Sequence, residues 1–241
     1  MRCFRLDLGE VPQDIRAGVG EVVKEYPERF ASANGAALRF VEDPATGGLS
    51  VTKSDGITIR YRTKTDAFRA LGRLMGESDD NNQDFSETSR FDTIGTMFDV
   101  SRNGVLRPKA FRSILLRYAL MGLNMAMLYT EDTYEIPGEP FFGYLRGAYT
   151  FDELKALDDY ADQFGIEMLP CIQTLAHMAQ VLQWPAYRHL QDTEQVLIAE
   201  EEETYAFIEK MIKAASAPFR WRRSPCPIPR TGNGYARQPA T

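Results

Sequence analysis

The chain has 241 residues, 44% of them hydrophobic and 26% charged, a composition that excludes a disordered, collagenous or disulfide-scaffolded protein. Its formal charge of −6, from 28 basic and 34 acidic residues, argues against non-specific nucleic-acid binding. No run approaches the roughly 20 apolar residues of a membrane span, residues 1–7 lack a signal peptide's apolar core, and Cys3, Cys171 and Cys226 are scattered and odd in number, so a soluble, cytoplasmic chain without disulfides is expected.

The first segment alternates, with Phe4, Leu6 and Leu8 on one face, and reads as a strand. Ile15, Val19, Val22, Val23 and Tyr26 then recur at helical spacing. Three strands are predicted at 37–42, 49–53 and 57–62, the last with Ile57, Ile59 and Tyr61 alternating with Thr58 and Arg60. A helix over 65–76 places Phe68, Leu71, Leu74 and Met75 on one side. Residues 1–76 thus form a small α+β domain. The polar stretch that follows reads as a linker over 77–90.

Beyond residue 90 the rhythm becomes strand, helix, strand, helix. An apolar run over 94–100 is followed by a helix that Pro108 opens and Gly122 closes. A strand over 124–129 comes next, then a helix begun by the capping box Thr150-Phe151-Asp152-Glu153 and stopped at Gly165. A third strand spans 166–172 and a helix is expected over about 193–215. Alternation of this kind implies parallel β/α units, in a barrel or an open doubly wound sheet. No Gly-x-Gly-x-x-Gly or P-loop follows any strand, so no nucleotide cofactor is implied. There is neither a His-x-His at a strand end nor a His-Glu-x-x-His, so no metal is expected. Each strand runs into a polar cluster: Asp99 to Asn103, Thr130-Glu131-Asp132, and Gln173 to His177. In β/α barrels that end of the strands carries the active site, although any strand must end in something polar.

These residues resemble glycoside hydrolase family 20, the β-N-acetylhexosaminidases. The resemblance rests on Phe98-Asp99-Val100-Ser101-Arg102, Met127-Leu128-Tyr129-Thr130-Glu131-Asp132, Arg146-Gly147-Ala148-Tyr149-Thr150, Gly165-Ile166-Glu167-Met168-Leu169-Pro170 and His177, and it covers about residues 1–219. It implies an α/β chain in which the small α+β N-terminal domain precedes the first three β/α units of an incomplete (β/α)8 TIM barrel, over 91–216. It further implies removal of terminal N-acetylhexosamine from a glycan or glycoside. The substrate's own acetamido oxygen attacks the anomeric carbon, while an enzymic Glu protonates the leaving oxygen. Arg102 matches the arginine that binds the sugar's outer hydroxyls, the alternative being an ion pair with Asp99. Asp132 or its neighbour Glu131 matches a carboxylate lining the sugar pocket, the alternative being a solvated loop charge. His177, one of two histidines, matches a residue that hydrogen-bonds toward the acid Glu and tunes it. Its loop, Gln173-Thr174-Leu175-Ala176-His177, departs from the family's Asp-x-Pro-Gly-His, so support of the histidine by a neighbouring carboxylate is missing. His189 reads as a surface residue, Trp184 and Tyr187 as loop or core packing with a sugar platform as the alternative, and the acidic run 200–203 as a solvated helix face.

The family's acid pair lies in a His-x-Gly-x-Asp-Glu motif on a fourth strand, and these 241 residues hold no such motif. Instead, residues 217–241 carry five Arg, five Pro and no acid, leaving residues 1–216 with 23 basic against 34 acidic residues, a charge of −11. A shifted reading frame explains the composition break and the missing motif together. A closed barrel needs about 250 residues, so three units leave open sheet edges of the kind that invite aggregation. The sequence therefore predicts a marginal chain that is inactive alone. Two alternatives stand beside the hydrolase reading: a non-catalytic carbohydrate-binding fragment, and an artefactual truncated product. The sequence sets no oligomeric state.

Overall fold

The computed structural model describes residues 2–30, 35–78, 81–102 and 104–220. In chain order the elements are β1 (Phe4–Arg5), α1 (Gln13–Glu25), α2 (Pro27–Phe30), β2 (Ala36–Glu42), β3 (Leu49–Thr52), β4 (Ile57–Tyr61), α3 (Lys64–Gly76) and β5 (Phe85–Glu87). There follow β6 (Gly95–Asp99), α4 (Pro108–Met121), β7 (Met125–Tyr129), α5 (Phe151–Asp162), β8 (Glu167–Cys171), α6 (Ala179–Leu182), a 3-10 turn (Pro185–Leu190), β9 (Gln191–Thr193), β10 (Val196–Leu197) and α7 (Glu202–Ser216).

The first unit is a five-stranded mixed sheet in the order β1-β2-β4-β3-β5. Its inner face carries Phe40, Val51, Ile57, Ile59 and Tyr61, covered by the apolar sides of α1 and α3. Thr63 starts α3 with a capping box, its hydroxyl accepting from Asp66 N while the Asp66 carboxylate accepts from Thr63 N, which satisfies two of the open amides at that helix end. The second unit is a parallel sheet in the order β6-β7-β8, in register Met97–Met127–Leu169 across the three strands. Pro108 opens α4, and Gly122 ends it in the left-handed conformation (φ 84°) that a side chain would resist. The Thr150–Glu153 capping box is formed as its spacing predicts, with Glu153 N donating to Thr150 Oγ1 at 3.1 Å and Thr150 N to Glu153 Oε2 at 3.0 Å. Among the described residues β6 and β8 each pair only with β7, so both outer edges of this sheet are open.

The two units pack closely through glycines. A Cβ at Gly72 of α3 would stand 2.0 Å from the Leu120 carbonyl oxygen of α4, and one at Gly18 of α1 would stand 2.8 Å from the carbonyl oxygen of Gln163, just after α5. Phe68 fills the same seam, edge-on to Phe164 with ring centroids 5.0 Å apart. Full burial of one such ring stabilises by about 1.5–3 kcal/mol.

Four expectations are corrected. The first strand is only Phe4–Arg5, because the Asp7 carboxylate accepts from Gly9 N at 2.7 Å and turns the chain, leaving Leu8 exposed. The segment expected as a linker over 77–90 holds β5, which pairs antiparallel with β3. Residues 193–201 are not helical. Val196 and Leu197 pair with Thr193 and Gln191, Leu197 is buried, and α7 starts only at Glu202. The tail expected to begin at 217 is part of the fold up to Arg220. Phe219 is buried, Arg220 N donates to Asp158 Oδ2 at 3.2 Å, and the guanidinium pairs with Asp159 and Asp162. Residues 221–241, with the rest of the Arg/Pro-rich segment, lie outside the described residues.

Strand β5 is held by charge. Burial works against ionisation of Glu87, but hydrogen bonds from Arg69 and Arg73 outweigh it and hold the carboxyl below its usual range. With the folded value depressed, the stability this group contributes is present above the ordinary carboxylate range and lost as pH falls through the folded value. Glu87→Gln is expected to remove that component. Thermal melts from pH 7 to 3 should then fall less steeply for the variant than for the parent, and parallel curves would show that the cluster carries no net charge stabilisation.

Candidate sugar-binding site

The C-terminal ends of β6, β7 and β8 lie side by side, since the strands are parallel and in register. After β6 the Asp99 carboxylate accepts from Ser101 N at 2.8 Å and from Ser101 Oγ at 2.7 Å, a tight turn that buries Ser101. Arg102 comes out of this turn toward the neighbouring strand end, where its Nη2 meets Glu131 Oε1 at 2.9 Å. The pair is asymmetric, since the Arg102 side chain is 63% exposed and that of Glu131 only 3%. A carboxylate fixed below a forked cation offers a ligand an acceptor and several donors at one spot.

Glu131 is held there by its own turn. Thr133 N and Thr133 Oγ1 both donate to the Thr130 carbonyl, at 2.9 and 2.8 Å, and Glu131 sits at φ 47°. A non-glycine residue in this region carries a backbone strain of about 1–3 kcal/mol, which persists only when its surroundings enforce it. The other non-glycine residues with positive φ among those described are Leu145 and His177, and all three stand in loops that follow the C-terminal ends of β7 and β8. The Tyr129 hydroxyl also donates to Glu131 Oε1, at 3.0 Å.

Asp132, next in the chain, does something different. It is buried, its Oδ1 accepts from Arg146 Nε at 3.3 Å, and its Oδ2 has no partner among the described residues. Burial pushes its carboxyl above the usual range, while the Arg146 charge pulls the other way. Arg146 also donates to the Ser101 carbonyl, so one guanidinium ties the turn after β6 to the turn after β7. A parallel bridge between Tyr134 and Tyr149 closes the base of that loop.

The structure therefore joins Arg102 to Glu131 and pairs the buried Asp132 with Arg146 rather than with Arg102. Asp99 is a turn-former and not the partner of Arg102. His177 lies apart. Its ring is exposed and forms no hydrogen bond with the described residues, and its loop is pinned to the β9–β10 hairpin by Leu197 N to Leu175 O and Met178 N to Gln195 O, at 2.9 and 3.0 Å. His189 is exposed beside Glu203 at 3.3 Å. Tyr187 is buried against Phe207, and Trp184 packs on Phe141 and Tyr144. A cleft of about 850 Å³ lies between the 135–151 loop and α7 and includes none of Arg102, Glu131 and Asp132. No group of His, Cys, Asp and Glu among the described residues is arranged to hold a metal ion, and no helix there is long and apolar enough to cross a membrane. Sequence reasoning missed Tyr129 and Arg146 as site residues, because Tyr129 acts through Glu131 and Arg146 through Asp132 and the turn after β6.

In sequence, no family model and no curated protein matches the chain. In structure, the exo-β-N-acetylglucosaminidase of Vibrio harveyi, solved with N-acetylglucosamine, superposes with a TM-score of 0.71 at 17% identity, covering 90% of this chain and 41% of that one. The β-N-acetylhexosaminidase of Streptomyces coelicolor gives 0.72 at 17% identity, over 92% of this chain and 56% of that one. A mutant β-hexosaminidase of Streptomyces plicatus in complex with its product GlcNAc gives 0.70 at 19%, over 92% and 53%. The fold is that of an N-terminal portion of the family 20 β-N-acetylhexosaminidases. The chain spans about half the length of these structures. Their coverage of this chain takes in both the small mixed-sheet unit and the β/α units, so the family 20 fold accounts for the order of the two as well as for each.

Proposed function

We propose that the chain is the sugar-recognising portion of a glycoside hydrolase of the β-N-acetylhexosaminidase type, acting on terminal N-acetylhexosamine. The observation that supports this most is the Arg102–Glu131 pair at adjacent parallel strand ends, in a fold shared with enzymes solved with N-acetylglucosamine. Arg102 donates to sugar hydroxyl oxygens and Glu131 accepts from the hydroxyl hydrogens. A pyranose with neighbouring hydroxyls needs both.

In the substrate-assisted retaining reaction proposed for the family, the acetamido oxygen forms a bond to the anomeric carbon as the glycosidic bond breaks. A protonated Glu supplies the proton that the leaving oxygen needs, and water later opens the oxazolinium. The His-x-Gly-x-Asp-Glu motif that carries this acid is not found in the 241 residues. General acid catalysis is worth about 10²–10⁴-fold in rate, so binding without turnover is expected of the chain by itself. His177 is retained in this reading as the residue whose loop would approach the acid.

Two measurements test the proposal together. Titration with N-acetylglucosamine should show saturable binding that Arg102→Ala weakens about tenfold, a loss of about 1.4 kcal/mol. An aryl N-acetylglucosaminide should be hydrolysed no faster than in buffer. Absence of binding by folded protein would remove the recognition reading, and normal turnover would remove the expectation of inactivity.

A further inference from the structure

Glu131 takes two donors on one oxygen, Arg102 Nη2 at 2.9 Å and Tyr129 Oη at 3.0 Å. A phenol has one proton. That proton is committed to Glu131, with Arg102 donating to the same oxygen. Tyr129 ends β7, Glu131 follows it and Arg102 follows β6, so the carboxylate links the ends of these two neighbouring strands.

We infer that Tyr129 is a positioning residue that presets the Glu131 carboxylate, and through it Arg102, for reading sugar hydroxyls. The inference rests on the proposed sugar-binding reading for its ligand, but the presetting itself is a property of the free chain. Arg102 is mostly exposed. An exposed arginine with no fixed partner keeps its rotamer freedom and loses it on binding, whereas a preset one has lost it already.

The test uses the full chain with two readouts. In the ligand-free protein, heteronuclear NMR of the Arg102 guanidinium should show restricted motion that Tyr129→Phe releases. In N-acetylglucosamine titrations Tyr129→Phe should weaken binding about five- to tenfold in the parent but less than twofold in a Glu131→Gln background, because the phenol acts only through that carboxylate. Equal Arg102 mobility in parent and Tyr129→Phe proteins overturns the inference even if sugar binds. A Tyr129→Phe loss that adds in full to Glu131→Gln overturns it as well, since it would mark a general structural effect. Restricted Arg102 released by Tyr129→Phe, with no sugar bound by the parent, leaves the presetting standing and removes the proposed ligand instead.

Discussion

Replacing Arg146 by methionine is expected to destabilise the chain by about 3–5 kcal/mol, the cost of leaving a buried charge without its partner. The physical case is in the asymmetry of the pair: Asp132 is 2% exposed and Arg146 15%, so water reaches neither well enough to replace the other. The loss has a second part, because Arg146 also holds the Ser101 carbonyl, and with it the turn that presents Arg102. Methionine keeps much of the side-chain volume, which limits the cavity contribution. The variant should also acquire a pH dependence of known sign. Burial already raises the Asp132 carboxyl and the Arg146 charge opposes it, so removing Arg146 raises it further. A carboxyl whose folded value exceeds its unfolded one binds more protons when folded, so stability falls as pH rises through the gap. Urea unfolding of parent and variant at pH 7 and pH 5 should therefore show the difference between them narrowing at the lower pH. Adding Asp132→Asn should restore part of the loss by removing the stranded charge. A difference under about 1 kcal/mol at pH 7 would place this pair among weak surface bridges and contradict its burial.

Gly72→Ala should destabilise by about 3 kcal/mol or more, above the usual range for overpacking. Alanine is the better helix former by about 1 kcal/mol, so local propensity alone predicts the opposite sign. What decides is the 2.0 Å between the new Cβ and the Leu120 carbonyl oxygen, with the Leu120 Cα at 2.9 Å, all of it backbone that can yield only if α3 and α4 separate. Separation would open the seam filled by Phe68 and Leu71, both fully buried. Gly20→Ala, in α1 with nothing within 4 Å of the new Cβ, is the control and should be stabilising by up to about 1 kcal/mol. Denaturant midpoints of the two variants measured together separate the effects. If both move the same way, close approach at Gly72 is not what holds the two units together.

The helices were legible in the sequence because their signals are local. Pro108 and Gly122 bracket α4, and Thr150 with Glu153 starts α5 through bonds that span three residues. The strands β6, β7 and β8 were legible as apolar runs between those helices. Strand β5 was not, being three residues in a polar stretch. It exists because Phe85 lies under the Arg73 guanidinium, 3.8 Å from its ring centre, and Glu87 meets Arg69 and Arg73. The hairpin that replaces the first part of the expected last helix depends likewise on distant partners, with Leu197 N donating to Leu175 O and Ile198 N to Leu190 O. These two contacts span 22 and eight residues, beyond the three- and four-residue spacing that helical periodicity reads.

At the site the division is similar. That Asp99, Arg102, Glu131 and Asp132 gather at strand ends follows from the order of strand and polar cluster along the chain, and resemblance to a family named the same residues. Which of the two adjacent carboxylates meets Arg102 was beyond the sequence. It is set by the Thr130–Thr133 turn and the positive φ at Glu131, which send one side chain across to Arg102 and the other down to Arg146. Periodicity, caps and turn residues determined the elements and their order, because those are energies of neighbours in sequence. Pairing of charges, the seam at Gly72 and the presentation of Arg102 were decided only in the tertiary structure, because each is an energy between groups that the chain brings together from far apart.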